Sequence, residues 1–241
     1  MSDASIKDPM IQANCRARFT ANDFDFIVKT LRKSPGDAVS LVELLADSDT
    51  RDAILDHDLL FDAILSQNGH LTISPQFYFY VLTRHVLKAS GLTDRKLCDY
   101  IASLLEAFSR TARLQSSVDP CCGRPVEYVS DLLLALRDAS PVQTFLIRAH
   151  VGNYSLFLSG IFHENVQSRT QRGAPDCSFY EDVGRMNYRV AAGHTVARRC
   201  ELSEVYAALA GQFHEVRLAL NELSGRLLHM DDGCAHSLLL G

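Results

Sequence analysis

The chain has 241 residues, of which 47% are hydrophobic, and a formal net charge of −5 at neutral pH. These values exclude an intrinsically disordered body, because apolar residues are plentiful and the net charge is small. No stretch approaches the roughly 20 apolar residues of a membrane-spanning helix, and the first residues lack a basic-then-apolar signal peptide. We therefore expect a soluble protein of the cytoplasm, without membrane contact, whose acidic balance argues against nucleic acid as a partner.

The first half of the chain predicts a series of short helices behind an irregular arm. Residues 1–19 carry no persistent apolar period, and Thr20 or Asn22 then caps a first helix. Further short apolar stretches follow. Ser74 before Pro75 is a strong start signal, because proline at the first helical position loses no hydrogen bond.

Stronger start signals appear in the second half. Ser140 and Gln143 form a capping box, which opens a helix that we expect to break near Gly152-Asn153. Residues 165–177 are predicted to form a polar loop. A second capping box, at 178–181, then predicts the start of the next helix.

No segment alternates apolar and polar residues in the manner of a strand. The predicted fold class is therefore all-α, a multi-helix bundle of about eight or nine helices with a long C-terminal helix. We expect residues 20–229 to form a single helical domain, between the arm at 1–19 and a flexible tail at 230–241.

The strongest pattern lies in the predicted closing helix, where apolar residues recur with alternating spacings of four and three. This seam comprises Leu202, Tyr206, Leu209, Phe213, Val216, Leu220, Leu223 and Leu227. A heptad seam holds one helix face toward a partner helix. Small flanking residues such as Ala207 and Gly211 favour a position inside the bundle core, and a homodimer seam is the alternative.

Seven cysteines, at positions 15, 98, 121, 122, 177, 200 and 234, form no C-x-x-C pair. A disulfide framework normally shows an even number in a short secreted chain. We therefore expect free thiols.

Nine histidines raise the question of a metal site, but their spacing does not support one. His163-Glu164 and His214-Glu215 each match half of a zinc-protease motif. Gln167 and Leu218 stand where the second histidine would be. We also find no phosphate-binding glycine loop and no nucleophile elbow, so we predict no metal, no cofactor and no catalytic residue.

Three segments stand out by composition: LFLSG-x-F at 156–162, FYEDVGRMNY at 179–188 and LNELSGR at 220–226. In the second, Glu181, Arg185 and Arg189 predict an exposed salt-bridge row at i, i+4 spacing, and Gly184 favours close packing. Together the three segments resemble a family of uncharacterised bacterial all-helical proteins, over about residues 140–228. No activity, cofactor or partner is assigned to that family, so the resemblance implies a helical fold and nothing catalytic.

Four functions remain open from the sequence. We favour a non-enzymatic helical module, regulatory or interaction-mediating, that binds a protein partner or itself. The alternative is a small-molecule or cofactor pocket between helices, with His163 or Glu164 as acid or base if it is an enzyme. The predicted lining of this pocket is Tyr154, His163, Glu164, Tyr180, Arg185 and Tyr188.

Nucleic-acid binding is the last hypothesis, with nearby tyrosines stacking on bases. Its cationic residues would be Arg169, Arg172, Arg185, Arg189, Arg198 and Arg199.

Overall fold

The computed structural model describes residues 10–34, 37–66, 72–109, 117–118, 125–126 and 129–228 of the chain. Within these ranges the chain forms thirteen α-helices, so the predicted all-α class is confirmed. The first half contains α1 (Ala21–Leu31), α2 (Asp37–Ala46), α3 (Ser48–Leu55), α4 (Asp58–Ser66), α5 (Pro75–Ala89) and α6 (Arg95–Ser109). The second half contains α7 (Val129–Ala135), α8 (Pro141–Ile161), α9 (His163–Thr170), α10 (Cys177–Ala192), α11 (Thr195–Arg199), α12 (Ser203–Gly211) and α13 (Phe213–Leu228).

The other elements are short. Single 3₁₀ turns lie at Arg16–Arg18 and Leu136–Asp138, and a two-residue antiparallel ladder pairs β1 (Ser117–Val118) with β2 (Pro125–Val126). No helix within the described ranges combines the length and apolarity needed to cross a bilayer. The predicted tail at 230–241, the first nine residues of the predicted arm, and cysteines 121, 122 and 234 lie outside the described residues.

The number of helices exceeds the predicted eight or nine, because single residues interrupt runs that the sequence presents as continuous. Phe162, with φ −106° and ψ 32°, separates α8 from α9. Gln212, with φ −114° and ψ 24°, separates α12 from α13. The predicted long C-terminal helix is therefore wrong, and its break follows Gly211, a weak helix former. The predicted loop at 165–177 is also wrong in its first part, which belongs to α9.

The heptad seam is nevertheless buried, as the bundle-core interpretation predicts. All eight of its side chains are at most 5% exposed. The bend preserves the inward face, because Gln212 donates its amide to the Ala208 carbonyl and accepts from the Val216 amide. The helical hydrogen-bond pattern thus continues on both sides of the bend. The seam is occupied within one copy of the chain, which leaves this face unavailable for the alternative homodimer seam.

Several helices begin where their caps predict. Thr20 precedes α1, Ser74 precedes α5 and Ser140 precedes α8. The buried carboxylate of Asp23 accepts the backbone N–H and the hydroxyl of both Thr20 and Ser74, at 2.6–3.0 Å. Negative charge is favourable at a helix N-terminus, so one side chain fixes the start of α1 against the start of α5.

Two predicted boundaries in the second half are different. α10 begins after Asp176, whose carboxylate accepts from the Phe179 amide at 2.9 Å, and not at the predicted box from Ser178. α8 also continues through Gly152 without the predicted break. A Cβ at Gly152 would lie 2.8 Å from the ring of Tyr188, so this glycine permits close helix packing.

α8 is the central helix of the second half. It packs along α10 and also contacts α13 and α7, while α5 and α6 form a hairpin that α12 and α13 contact. At the centre, Asn153 Oδ1 accepts the hydroxyls of Tyr100 and Tyr188, at 2.7 and 2.8 Å. Tyr206 contacts both rings. These three tyrosines, the tyrosine cluster, join α6, α8, α10 and α12 in the core.

Candidate functional site

Two of the tyrosines predicted to line a small-molecule pocket lie in the protein interior. Tyr188 has no exposed surface and its ring belongs to the tyrosine cluster. Tyr154, on α8, is 9% exposed. Burial raises the pKa of Tyr180 on α10, and the electrostatic effect of the Tyr154 phenol raises it further. Tyr180 is half-buried, whereas Tyr188 has no surface for a ligand.

The other three predicted pocket residues differ from one another in solvent exposure. Glu164 is exposed in the first turn of α9, and Arg185 lies half-exposed on α10. His163 begins α9, and its buried Nδ1 has no hydrogen-bond partner among the described residues. A ligand-binding or acid–base role for these residues stays a prediction.

The helices that carry the three segments of the family resemblance, α8, α10 and α13, pack against one another. Gly160 of the first contacts Leu220 of the third, and an added Cβ would lie 2.9 Å from the Leu220 Cβ. Gly184 of the second lies directly beneath the ring of Phe213, confirming its predicted role in close packing. Because each glycine removes a side chain at a helix crossing, these segments serve to bring backbones together.

Side chains of α13 also complete the end of α8. The Asn221 amide donates to the carbonyls of Ser159 and Gly160, at 2.8 and 2.6 Å. The Ser224 hydroxyl donates to the Ile161 carbonyl at 2.7 Å. The last carbonyls of a helix lack partners within the helix, so α13 supplies the hydrogen bonds that the bend at the end of α8 requires.

The predicted salt-bridge row along α10 is not formed. Glu181 instead contacts two residues of α13, His214 at 3.0 Å and Arg217 at 3.2 Å. Partial burial alone would raise the pKa of Glu181, but hydrogen bonds from His214 and Arg217 lower it overall. Arg185 and Arg189 are left without an ion pair to any described residue.

The outer face of α10 carries an apolar stripe. Phe179 is 40% exposed, Met186 62% and Val190 48%, and Val183 between them is partly buried. The four side chains share one helix face. We call these four residues the α10 stripe. Their spacing of four, three and four is readable in the sequence, but spacing alone does not distinguish this exposed stripe from the buried seam of α12 and α13, which has the same pattern.

An ion-pair network holds the N-terminal segment against the helices of the first half. Its charges alternate, and each residue contacts the next within 3.3 Å. In order, the network is Asp99, Arg16, Asp52, Arg95, Asp56 and Arg84. No local sequence pattern predicts this network, because Arg16 lies 36 and 83 residues from its two carboxylate partners.

The pKa values of the two outermost carboxylates of this network, Asp99 and Asp56, shift in opposite directions. Burial raises the pKa of Asp99 in spite of its hydrogen bonds from Arg16. Partial burial would also raise the pKa of Asp56, but hydrogen bonds from Arg84 and Arg95 lower it overall. The Asp56 end therefore favours the ionised carboxylate.

A cleft of about 230 Å³ adjoins the Asp56 end of the network. The ring of His85 stacks on Phe61 with centroids 3.7 Å apart, and its Nδ1 lies 3.4 Å from an Asp58 carboxylate oxygen. The Lys88 ammonium donates to the Asp56 carbonyl at 3.3 Å. The cleft thus combines an aromatic ring with groups of both charges, and none of the six predicted pocket residues lines it.

The described cysteines and acids form no recognisable metal centre. Cys15, Cys98, Cys177 and Cys200 are free thiols, and burial raises the pKa of Cys15 and Cys98. No group of three or more histidine, cysteine, aspartate or glutamate side chains within the described ranges is arranged to hold a metal ion.

Comparison of the chain with protein-family models, with curated proteins and with solved structures finds no match.

Proposed function

We infer that this protein is a non-enzymatic helical interaction module of the cytoplasm, and that the α10 stripe is its docking surface. The observation that carries the proposal is the solvent exposure of the stripe, in particular 62% at Met186 and 48% at Val190. Contiguous exposed apolar side chains on one helix face are typical of protein interaction sites. An amphipathic helix of the partner would lie along the stripe.

The support of α10 makes the stripe a rigid surface. Its inner face is fixed by Gly184 under Phe213 and by Tyr188 over Gly152. Its first turn is capped by Asp176. A surface that is already ordered loses little conformational entropy when a partner binds.

The other exposed apolar groups favour α10 over the remaining helices. Leu218 on α13 is 48% exposed but is flanked in the sequence by Arg217 and a buried alanine, so it forms no stripe. α2 exposes Val39 and Val42 on one face, but this pair is shorter than the four-residue α10 stripe.

Site-specific photo-crosslinking tests this proposal. A benzophenone amino acid in place of Met186 is expected to crosslink to protein in the cells from which the sequence comes. The matched control carries the same amino acid at Leu218, which is similarly apolar and exposed but lies outside the stripe. Absence of any protein adduct at position 186, or equal yields at both positions, contradicts a docking role for the stripe.

A small-molecule site is the second candidate, and the cleft beside Asp56 is the observation that favours it. Thermal denaturation with a panel of small carboxylates and phosphates tests it. A ligand that raises the melting temperature of the wild type should lose this effect in His85→Ala, because the imidazole lines the cleft. An effect that persists in His85→Ala places binding elsewhere.

A further inference from the structure

We propose that the partner of the α10 stripe is a second copy of this chain, whose α10 lies antiparallel across a two-fold axis. This inference rests on the proposed docking role of the stripe and adds the identity of the partner and the register. Three features carry it: the spacing of the stripe, the charges beside it and the absence of internal partners for those charges.

The stripe has the spacing of an antiparallel helix pair. Residues 179, 183, 186 and 190 alternate steps of four and three, which keeps one face toward a second helix over about 17 Å. In a two-fold antiparallel pair, Phe179 packs opposite Val190 of the second copy and Val183 opposite Met186. The same surface on both copies then fills both sides of the interface, as a two-fold contact requires.

Two charged residues flank the stripe at equivalent positions. Asp182 directly precedes Val183, and Arg189 directly precedes Val190. In an antiparallel pair, each of these flanking positions lies opposite the equivalent flanking position of the second helix. Asp182 therefore lies opposite Arg189 of the second copy. The two-fold axis repeats this contact, which gives two ion pairs for one pair of residues.

A parallel arrangement would not pair these charges. Asp182 would then lie opposite Asn187 of the second copy, which is buried and neutral. The charge pattern therefore selects the antiparallel direction, because flanking charges decide orientation in helix pairs.

Neither charge is used within one copy. Asp182 and Arg189 are both exposed, and neither side chain makes a hydrogen bond or ion pair with any residue in the described ranges. Glu181, the nearby acid, turns to α13 and pairs with His214 and Arg217. The charge pair beside the stripe is thus free to meet a second copy.

Charge reversal on the full chain tests the partner and the register together. Sedimentation velocity over a range of protein concentrations, in reducing buffer, should reveal a reversible dimer. Asp182→Arg and Arg189→Asp each place like charges opposite one another and should raise the dissociation constant about tenfold. The double variant D182R/R189D restores both pairs and should return it to near the wild-type value.

Matched controls separate this effect from general ones. Arg172→Asp makes the same charge change at an exposed site outside α10 and should leave the dissociation constant unchanged. Met186→Asp should abolish the dimer, whereas Leu218→Asp should not. Circular dichroism and the melting temperature, recorded at a concentration where the wild type is monomeric, show that each variant is folded when they match the wild type.

The outcomes distinguish this inference from the proposed function. A chain that is monomeric at every concentration, but still forms adducts with another protein from position 186, overturns the second copy and retains the docking role. A monomer without adducts overturns both. A dimer that ignores Met186→Asp uses another surface and overturns the second copy as the partner of the stripe, whereas the adducts at position 186 still decide the docking role. Failure of D182R/R189D to recover overturns the antiparallel register.

Discussion

The two halves of the molecule are held together by different physical means. In the first half, the network of alternating charges that includes Arg16 connects the N-terminal segment to α3, α5 and α6. In the second half, Gly152, Gly160 and Gly184 let helices approach until aromatic and aliphatic side chains touch backbone. The first arrangement is sensitive to the loss of a charge, and the second to the gain of a methyl group.

The largest expected effect is overpacking in the second half. Gly184→Ala places a methyl group against the ring of Phe213, which is itself fully buried and cannot move aside freely. We expect a loss of about 3 kcal/mol in the free energy of unfolding, at the upper end of overpacking effects. Denaturant unfolding measures it.

The matched control is Gly225→Ala, also a helical glycine of this half. Nothing lies within 4 Å of an added Cβ there, so the gain in helix propensity should stabilise the protein by up to about 1 kcal/mol. Equal effects at both positions would contradict the packing role of Gly184.

In the first half, the corresponding change is the loss of one charge. Asp56→Asn leaves Arg84 and Arg95 facing a neutral amide, although both keep other contacts and Arg95 reaches solvent. We expect a loss of about 2 kcal/mol, less than for a fully buried pair. Denaturant unfolding at neutral pH measures it.

The pH dependence of this loss has a defined sign. The pKa of Asp56 is lower in the folded protein than in the unfolded chain, so its stabilising contribution is present above the unfolded pKa. It is lost as the pH falls through the folded pKa, which lies below the ordinary pKa of an aspartate. The gap between wild type and Asp56→Asn should therefore narrow in that range, and a constant gap would show that the ionised carboxylate is not responsible.

A smaller effect is expected where α13 completes the end of α8. Asn221→Ala removes the donors to the carbonyls of Ser159 and Gly160, at a cost of about 1 kcal/mol or slightly more. Glu222→Ala is the control, because it removes only an exposed ion pair with Arg226. A loss of unfolding free energy no greater than that of the control would mean that water replaces the Asn221 amide as donor to these carbonyls at no cost.

The smallest effect concerns the tyrosine cluster. Tyr188→Phe removes one of two hydroxyls that donate to Asn153, while Tyr100 keeps the other contact. The expected cost is about 0.5–1 kcal/mol in the free energy of unfolding. Tyr180→Phe, at a half-buried position, is the control and should be close to neutral; a larger loss there would place the critical hydroxyl outside the core.

The sequence predicts features whose physical cause is local. Thr20, Ser74 and Ser140 cap helices because each hydroxyl or its partner lies within three residues. The buried seam follows from a repeated spacing, and that spacing survives the bend at Gln212 although the single long helix does not. A bend of one residue leaves no signal in the apolar periodicity of the sequence, so the predicted number of helices was wrong.

Features that depend on contacts between distant residues could not be predicted in this way. Glu181 has Arg185 four residues away, yet it pairs with His214 and Arg217 of another helix. The close packing expected at Gly184 was confirmed, but nothing in the sequence identifies Phe213 as the side chain above it. The α10 stripe could have been found from its spacing, and only its exposure distinguishes it from a buried seam.

The tyrosine cluster has a practical consequence for optical measurements. The chain contains no tryptophan, so its near-ultraviolet signal comes chiefly from tyrosine, and Tyr100, Tyr188 and Tyr206 are wholly enclosed and hydrogen-bonded or stacked. None of the four residues of the α10 stripe is a tyrosine. Near-ultraviolet circular dichroism should therefore follow melting of the interior while remaining almost blind to association of two copies, so that folding and assembly can be recorded as separate signals from an unlabelled sample.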